Sequence, residues 1–186
     1  TIFSKQALLS TNQLDVTLVD TPGHVDFSAE TERTLSILDC AILVIGGALQ
    51  AHTITLWNLL QRYRVPTILF ISKMDLPGKQ KQELLTQLQS ALHPGCVDFT
   101  APDEEIREAA AMCDEALLET YLQTGIVTDN NIRELIAHRK LFPCCFGAAL
   151  KMEGVSEFID VLDTYAPRPQ YAEQFGARVY KISRDP

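Results

Sequence analysis

VTLVDTPGH, residues 16–24, runs from an apolar, β-branched stretch straight into an acid, a hydroxyl, a proline, a glycine and an imidazole. Val16, Thr17, Leu18 and Val19 suit a strand. Asp, Pro and Gly gather after strands for conformational reasons alone, because each favours a turn. The same residues also suit a place where a metal, a phosphate and a water meet. A carboxylate such as Asp20 at a strand end can hold Mg²⁺ through its water shell, since that ion keeps several waters. Gly23 lets a backbone N–H approach a phosphate oxygen that a Cβ would block. His24 then points toward the terminal phosphate, where an imidazole can orient an attacking water. The surrounding chain decides between a turn and a site.

Apolar runs at 16–19, 41–45, 67–71 and 141–146 alternate with segments of helical period at 29–38, 53–62 and 80–92. Three of the runs are nearly continuous in apolar residues, as strands covered on both faces are. Leu84, Leu88 and Leu92 repeat at four-residue spacing along one helix face. The alternation predicts an α/β fold, a mostly parallel sheet flanked by helices, with 16–19 and 67–71 in that one sheet. Ligands of such folds bind at the carboxyl ends of the strands, which is where VTLVDTPGH turns polar.

Residues 93–138 read as a helical insertion. Asp103-Glu104-Glu105 opens its first helix, where carboxylates suit the N-terminal dipole, and Gly125 separates it from a second helix over 131–138. A further amphipathic helix spans 156–165. Ala166-Pro167-Arg168-Pro169 then breaks the pattern as a linker does. The alternation over 177–182 reads as the first strand of another unit.

The 186 residues are 46% hydrophobic with a formal net charge of −8. That balance argues against a protein that coats DNA or RNA through a broad basic patch, and leaves room for a local RNA contact. No stretch reaches the roughly 20 apolar residues that cross a bilayer, and Thr1-Ile2-Phe3-Ser4-Lys5 does not open a signal peptide. Cys40, Cys96, Cys113, Cys144 and Cys145 fit no metal-ligand spacing and read as reduced thiols of a cytoplasmic protein. Cys144-Cys145 lies in a predicted buried strand, as small hydrophobes do. Trp57 with Leu56, Leu59 and Leu60 reads as core, His138-Arg139-Lys140 as a basic helix end, and His52 and His93 carry no partner pattern.

Two further stretches follow apolar strands. In Ser72-Lys73-Met74-Asp75 the carboxylate can accept hydrogen bonds from N1–H and N2–H₂ of guanine, groups that adenine does not present in that arrangement. A site built on such an acceptor can reject the wrong base by roughly ten-thousand-fold. The Lys73 stem can lie over the base plane. In Gly147-Ala148-Ala149-Leu150-Lys151, small residues let the backbone approach a purine edge.

With these motifs the chain resembles the GTPase domain of translational GTPases of the elongation factor G type. DTPGHVDF matches the switch II motif of that family, SKMD resembles its base-recognition motif, and GAALKMEGV resembles its last guanine-binding loop. LLETYLQTG and LFPCCFGAAL are similar to the ribosomal protection proteins that confer tetracycline resistance. The resemblance implies GTP or GDP with Mg²⁺ as ligands and the ribosome as partner. It assigns Asp20 to the Mg²⁺ side, Gly23 to the γ-phosphate and His24 to the hydrolytic water. Ser72, Lys73 and Asp75 hold the guanine, and Ala148 and Ala149 line it. Thr1 matches the threonine that ligates Mg²⁺ in switch I. Residues 1–168 then form a GTPase domain, and 169–186 a linker with the first strand of a β-barrel.

Three departures accompany the match. No GxxxxGK[ST] phosphate loop occurs in the 186 residues; Ser72 stands where the family has asparagine; Ala148 stands where it has serine. The expectation is therefore that this chain alone neither binds nor hydrolyses GTP appreciably. A sheet lacking the strand before that loop would offer unpaired edges, inviting dimerisation. The rival reading is a ribosome-binding or interaction module with degraded guanine specificity. An adenine-nucleotide enzyme is opposed by Asp75.

Overall fold

A computed structural model describes residues 5–21, 28–78, 80–169, 173–177 and 179. Thr1, Gly23, His24 and most of the strand expected over 177–182 lie outside the described residues.

Strands β3 (Ala41–Ile45), β4 (Thr67–Ile71), β5 (Cys96–Asp98) and β6 (Phe142–Phe146) form a four-stranded, all-parallel sheet in the order β3-β4-β6-β5. Helices α1 (Ser28–Leu35), α2 (Ala51–Arg62), α3 (Lys81–Ala91), α4 (Asp103–Ala111), α5 (Glu115–Thr124), α6 (Asp129–Ala137) and α7 (Val155–Tyr165) accompany it. The α/β class with a parallel, helix-flanked sheet is as the alternation predicts.

The strands alternate between two apolar layers because successive side chains point to opposite faces. Ile68 and Phe70 of β4 enter a core shared with Ile106, Ile132, Ile136 and Phe158, from α4, α6 and α7. Leu69 and Ile71 enter the other, with Trp57 and Leu60 of α2 and Leu88 of α3. Every residue of β4 and β6 is buried, which is why both read as unbroken apolar runs. Pro143 is tolerated in β6 because the residues that bond β5 there are its neighbours: Phe142 donates to Gly95 and Cys144 accepts from Phe99. Pairing with β4 starts only at Cys144, so the missing N–H interrupts no ladder bond.

One expectation is corrected. Residues 16–19 do not share a sheet with 67–71. They lie in β2 (Asp15–Asp20), which pairs antiparallel with β1 (Lys5–Ser10) as a separate two-stranded sheet. An apolar run reports burial propensity, not partner, and β2 is in fact half-exposed, with Leu18 44% exposed. Strand β1 itself, KQALLS, adds to the strands that the apolar runs predict. The hairpin closes through the Thr11 N–H on the Leu14 carbonyl, and its turn is fastened to α7. There the buried Asp163 carboxylate accepts from the Thr11 hydroxyl and, at 3.1 Å, from the Gln13 N–H.

The stretch 93–138 carries β5 and helices α4, α5 and α6. Its strand β5 joins the parallel sheet beside β6, and Ile106, Ala110, Ile132 and Ile136 are fully or nearly fully buried in the common core. Asp103, Glu104 and Glu105 do occupy the first turn of α4.

Candidate functional site

The carboxyl ends of β3, β4 and β6 are stitched together by backbone bonds. The Ser72 N–H donates to the Ile45 carbonyl at 2.8 Å, the Gly147 N–H to Ile71 at 2.9 Å, and the Met74 N–H to Gly147 at 3.0 Å. These bonds set SKMD and GAALK side by side. Ser72, Lys73, Asp75, Ala148 and Ala149 therefore lie on two adjoining loops.

Ser72 is buried, and its hydroxyl accepts from the Ala149 N–H at 3.3 Å. A serine at this position thus braces the last loop directly. Lys73 has φ 63, a left-handed conformation unusual for a side-chain-bearing residue. From it the stem runs alongside Gly46, where a Cβ would stand 3.8 Å from both Cε and Nζ. The Asp75 carboxylate lies 3.0 Å from the Lys151 ammonium. The hydrogen bond from Lys151 holds the Asp75 carboxyl below the usual range, and the same bond raises Lys151.

The last loop is built on glycine. At Gly147 a Cβ would stand 2.3 Å from the Glu153 carbonyl oxygen, and at Gly154 (φ 74) 2.7 Å from that of Phe146. Ala148 and Glu153 form an antiparallel bridge, with the Ala148 N–H on the Glu153 carbonyl at 2.9 Å. Ala148 is consequently buried, while Ala149 and Leu150 face solvent. Sequence reasoning misses Lys151, Gly46 and Glu153. Lys151 belongs to the GAALK motif, but nothing in its spacing tells of a partner in another loop.

Asp20 ends β2, exposed, on the separate hairpin. Among the described residues no group of three or more His, Cys, Asp or Glu side chains could hold a metal ion. A single strand-end carboxylate fits an ion held through its own waters, the mode Mg²⁺ favours. The five cysteines are unpaired. Burial pushes the Cys40 and Cys145 thiols up to about 12 and Cys113 to about 11. Thiols so raised are poor nucleophiles and pack as small hydrophobes. Among the described residues no helix is long and apolar enough to cross a membrane.

The family model of the elongation factor Tu GTP-binding domain matches residues 1–168. Mitochondrial elongation factor G of Drosophila erecta and of Drosophila melanogaster are each 28% identical over 223 aligned positions, covering 92% of this chain and 30% of theirs. The chain thus spans about a third of the length of these curated relatives. A crystal structure of a Thermus thermophilus protein superposes with a TM-score of 0.76 at 22% identity, over 90% of this chain and 32% of that one, and shows the same fold. The chain belongs to the elongation-factor family of translational GTPases, with residues 1–168 matching its GTP-binding domain.

Proposed function

We propose that this domain recognises the guanine of GTP and positions the hydrolytic water in a translation factor that works on the ribosome. The observation that carries the reading is the placement of Asp75. It stands at the end of an all-buried strand, in a loop locked to the last loop by Met74 N–H and Ser72 Oγ. A guanine entering there meets a carboxylate already ionised and held by Lys151, with the Lys73 stem alongside Gly46. Such pre-set polar groups discriminate because the wrong base leaves them unpaired. Base entry exchanges the Lys151 ion pair and the Ser72–Ala149 hydrogen bond for bonds to the base. Ser72 and Ala149 thus stand both as support and as lining.

Asp20 and Thr1 would hold Mg²⁺, Asp20 through the ion's own waters, and Gly23 would meet the γ-phosphate. When bound, Mg²⁺ neutralises charge developing on the phosphoryl oxygens. His24 orients the water, and its imidazole contributes in the transition state rather than to nucleotide binding. The family match ending at 168 supports a domain boundary at Pro167-Arg168-Pro169, with 169–186 leading into a second domain. Free thiols support a reducing compartment such as the cytoplasm. Within the family, LLETYLQTG and LFPCCFGAAL support a place beside the tetracycline-protection factors.

The test uses the full-length protein. His24→Ala is expected to slow ribosome-stimulated GTP hydrolysis far more than it weakens GTP binding, a loss that appears in kcat. Equal turnover of variant and parent at saturating ribosomes removes His24 from the mechanism. Ser72 and Ala148 favour the second reading, an interaction module with degraded guanine specificity. That reading predicts equal affinity for GTP and xanthosine triphosphate in the parent.

A further inference from the structure

The end of the sheet opposite the base-site loops, where its strands begin, carries a concavity. A cleft of about 540 Å³ opens where β4 and β6 begin, walled by Trp57, Arg64, His93, His138, Arg139 and Phe142. Among the described residues no carboxylate lines it, in a chain whose formal net charge is −8.

Both arginines hold left-handed backbone, with φ 54 at Arg64 and φ 56 at Arg139. Each follows a helix whose last turn is closed by a backbone bond across it, Val65 N–H to Leu60 after α2 and Lys140 N–H to Leu135 after α6. Glycine or asparagine usually fills that position, because a Cβ is penalised there. Arg139 has a structural reason to be present. Its Nη1 donates to the Val65 carbonyl and, at 2.9 Å, to Thr67 Oγ1, and its guanidinium lies 5.0 Å from the ring centres of Trp57 and Phe142. Among the described residues its other N–H groups have no hydrogen bond and no acid pairs with it. Burial alone draws its pKa below the usual arginine value. Half-buried charges are ordinarily paired.

Arg64 shows no such structural reason. Its side chain is exposed and makes no hydrogen bond, ion pair or ring contact among the described residues. The carbonyl ends of α2 and α6 attract cations, but Arg64 bonds to neither. His93 is not one of the charges, since burial, and then Arg139, lower its pKa.

We propose that this cleft binds a phosphate group between Arg64 and Arg139. Guanidinium forks match phosphate oxygens in geometry and charge, and among the described residues both side chains keep donors free for such a ligand. Orthophosphate and the phosphodiester backbone of RNA share this chemistry. The proposal stands apart from nucleotide recognition at the carboxyl ends of the strands.

Trp57 is the single tryptophan and lines the cleft, so its fluorescence in the purified chain reports occupancy. One titration uses inorganic phosphate and the other a short single-stranded oligoribonucleotide. A saturable response to phosphate below about 10 mM supports a small-anion site. A tighter, salt-dependent response to the oligoribonucleotide assigns the phosphate to RNA. Arg64→Gly removes the guanidinium and relieves the left-handed backbone. It is expected to melt no lower than the parent while weakening either response at least about tenfold. No saturable response to either probe, or an unchanged response in Arg64→Gly, overturns the proposal.

Discussion

The Lys151 ammonium lies 3.0 Å from the Asp75 carboxylate and bridges the loops after β6 and β4. The ion pair keeps Asp75 ionised and restrains it, and it also competes with a base for the same oxygens. Both side chains reach solvent, so the pair is weakly held.

Lys151→Met in the full-length protein is accordingly expected to raise guanine-nucleotide affinity by less than about fivefold, with specificity kept. Calorimetry with GDP measures it. A loss of more than about tenfold would mean that Lys151 holds the base itself. Because Lys151 holds the Asp75 carboxyl below its ordinary value in the nucleotide-free protein, an incoming guanine should still meet an ionised carboxylate at about pH 4, where an ordinary aspartate is roughly half protonated.

The attachment of the β1–β2 hairpin rests on Asp163. Its buried carboxylate accepts from Thr11 Oγ1 and the Gln13 N–H. Asp163→Ala removes charge-assisted bonds and is expected to cost about 1.5–3 kcal/mol. Hydrogen exchange should rise in 5–20 while β4 and β6 stay protected. Uniform loss of protection across both sheets would contradict the separate anchoring.

The glycines of the two base-site loops differ in kind. Gly78 has φ 79 but open space around its missing Cβ, so Gly78→Ala should cost only the left-handed penalty of about 1–2 kcal/mol. Gly154→Ala adds a backbone clash at 2.7 Å to the same penalty. It should be clearly the worse of the two in thermal melts, and should weaken nucleotide binding as well, since it displaces Phe146 and Gly147. Equal melting of the two variants would contradict the tight stitching of 147–154.

The α/β class is legible in the sequence because β4 and β6 are buried throughout, which leaves unbroken apolar runs between amphipathic helices. The base-site residues are legible because each follows such a run. Sheet membership is not, since β2 carries an apolar run and yet, among the described residues, pairs only with β1. Nor is β5, whose three residues are too short to show a period. The Asp75–Lys151 pair and the Ser72–Ala149 bond join residues distant in sequence, and no local pattern encodes their meeting. Arg64 and Arg139 look like ordinary helix-end cations until their backbone angles are known.

The central claim, that Asp75 reads guanine, is tested by Asp75→Asn in the full-length protein. Affinities for GTP and xanthosine triphosphate are measured side by side. Replacing an acceptor oxygen by a donor sets N–H against N–H at guanine and complements the extra carbonyl of xanthine. Hydrogen bonds to charged groups contribute about 1.5–3 kcal/mol each, so the preference for GTP should fall at least about tenfold and move toward xanthosine triphosphate. A variant that keeps the parent's ratio of the two affinities would contradict the assignment.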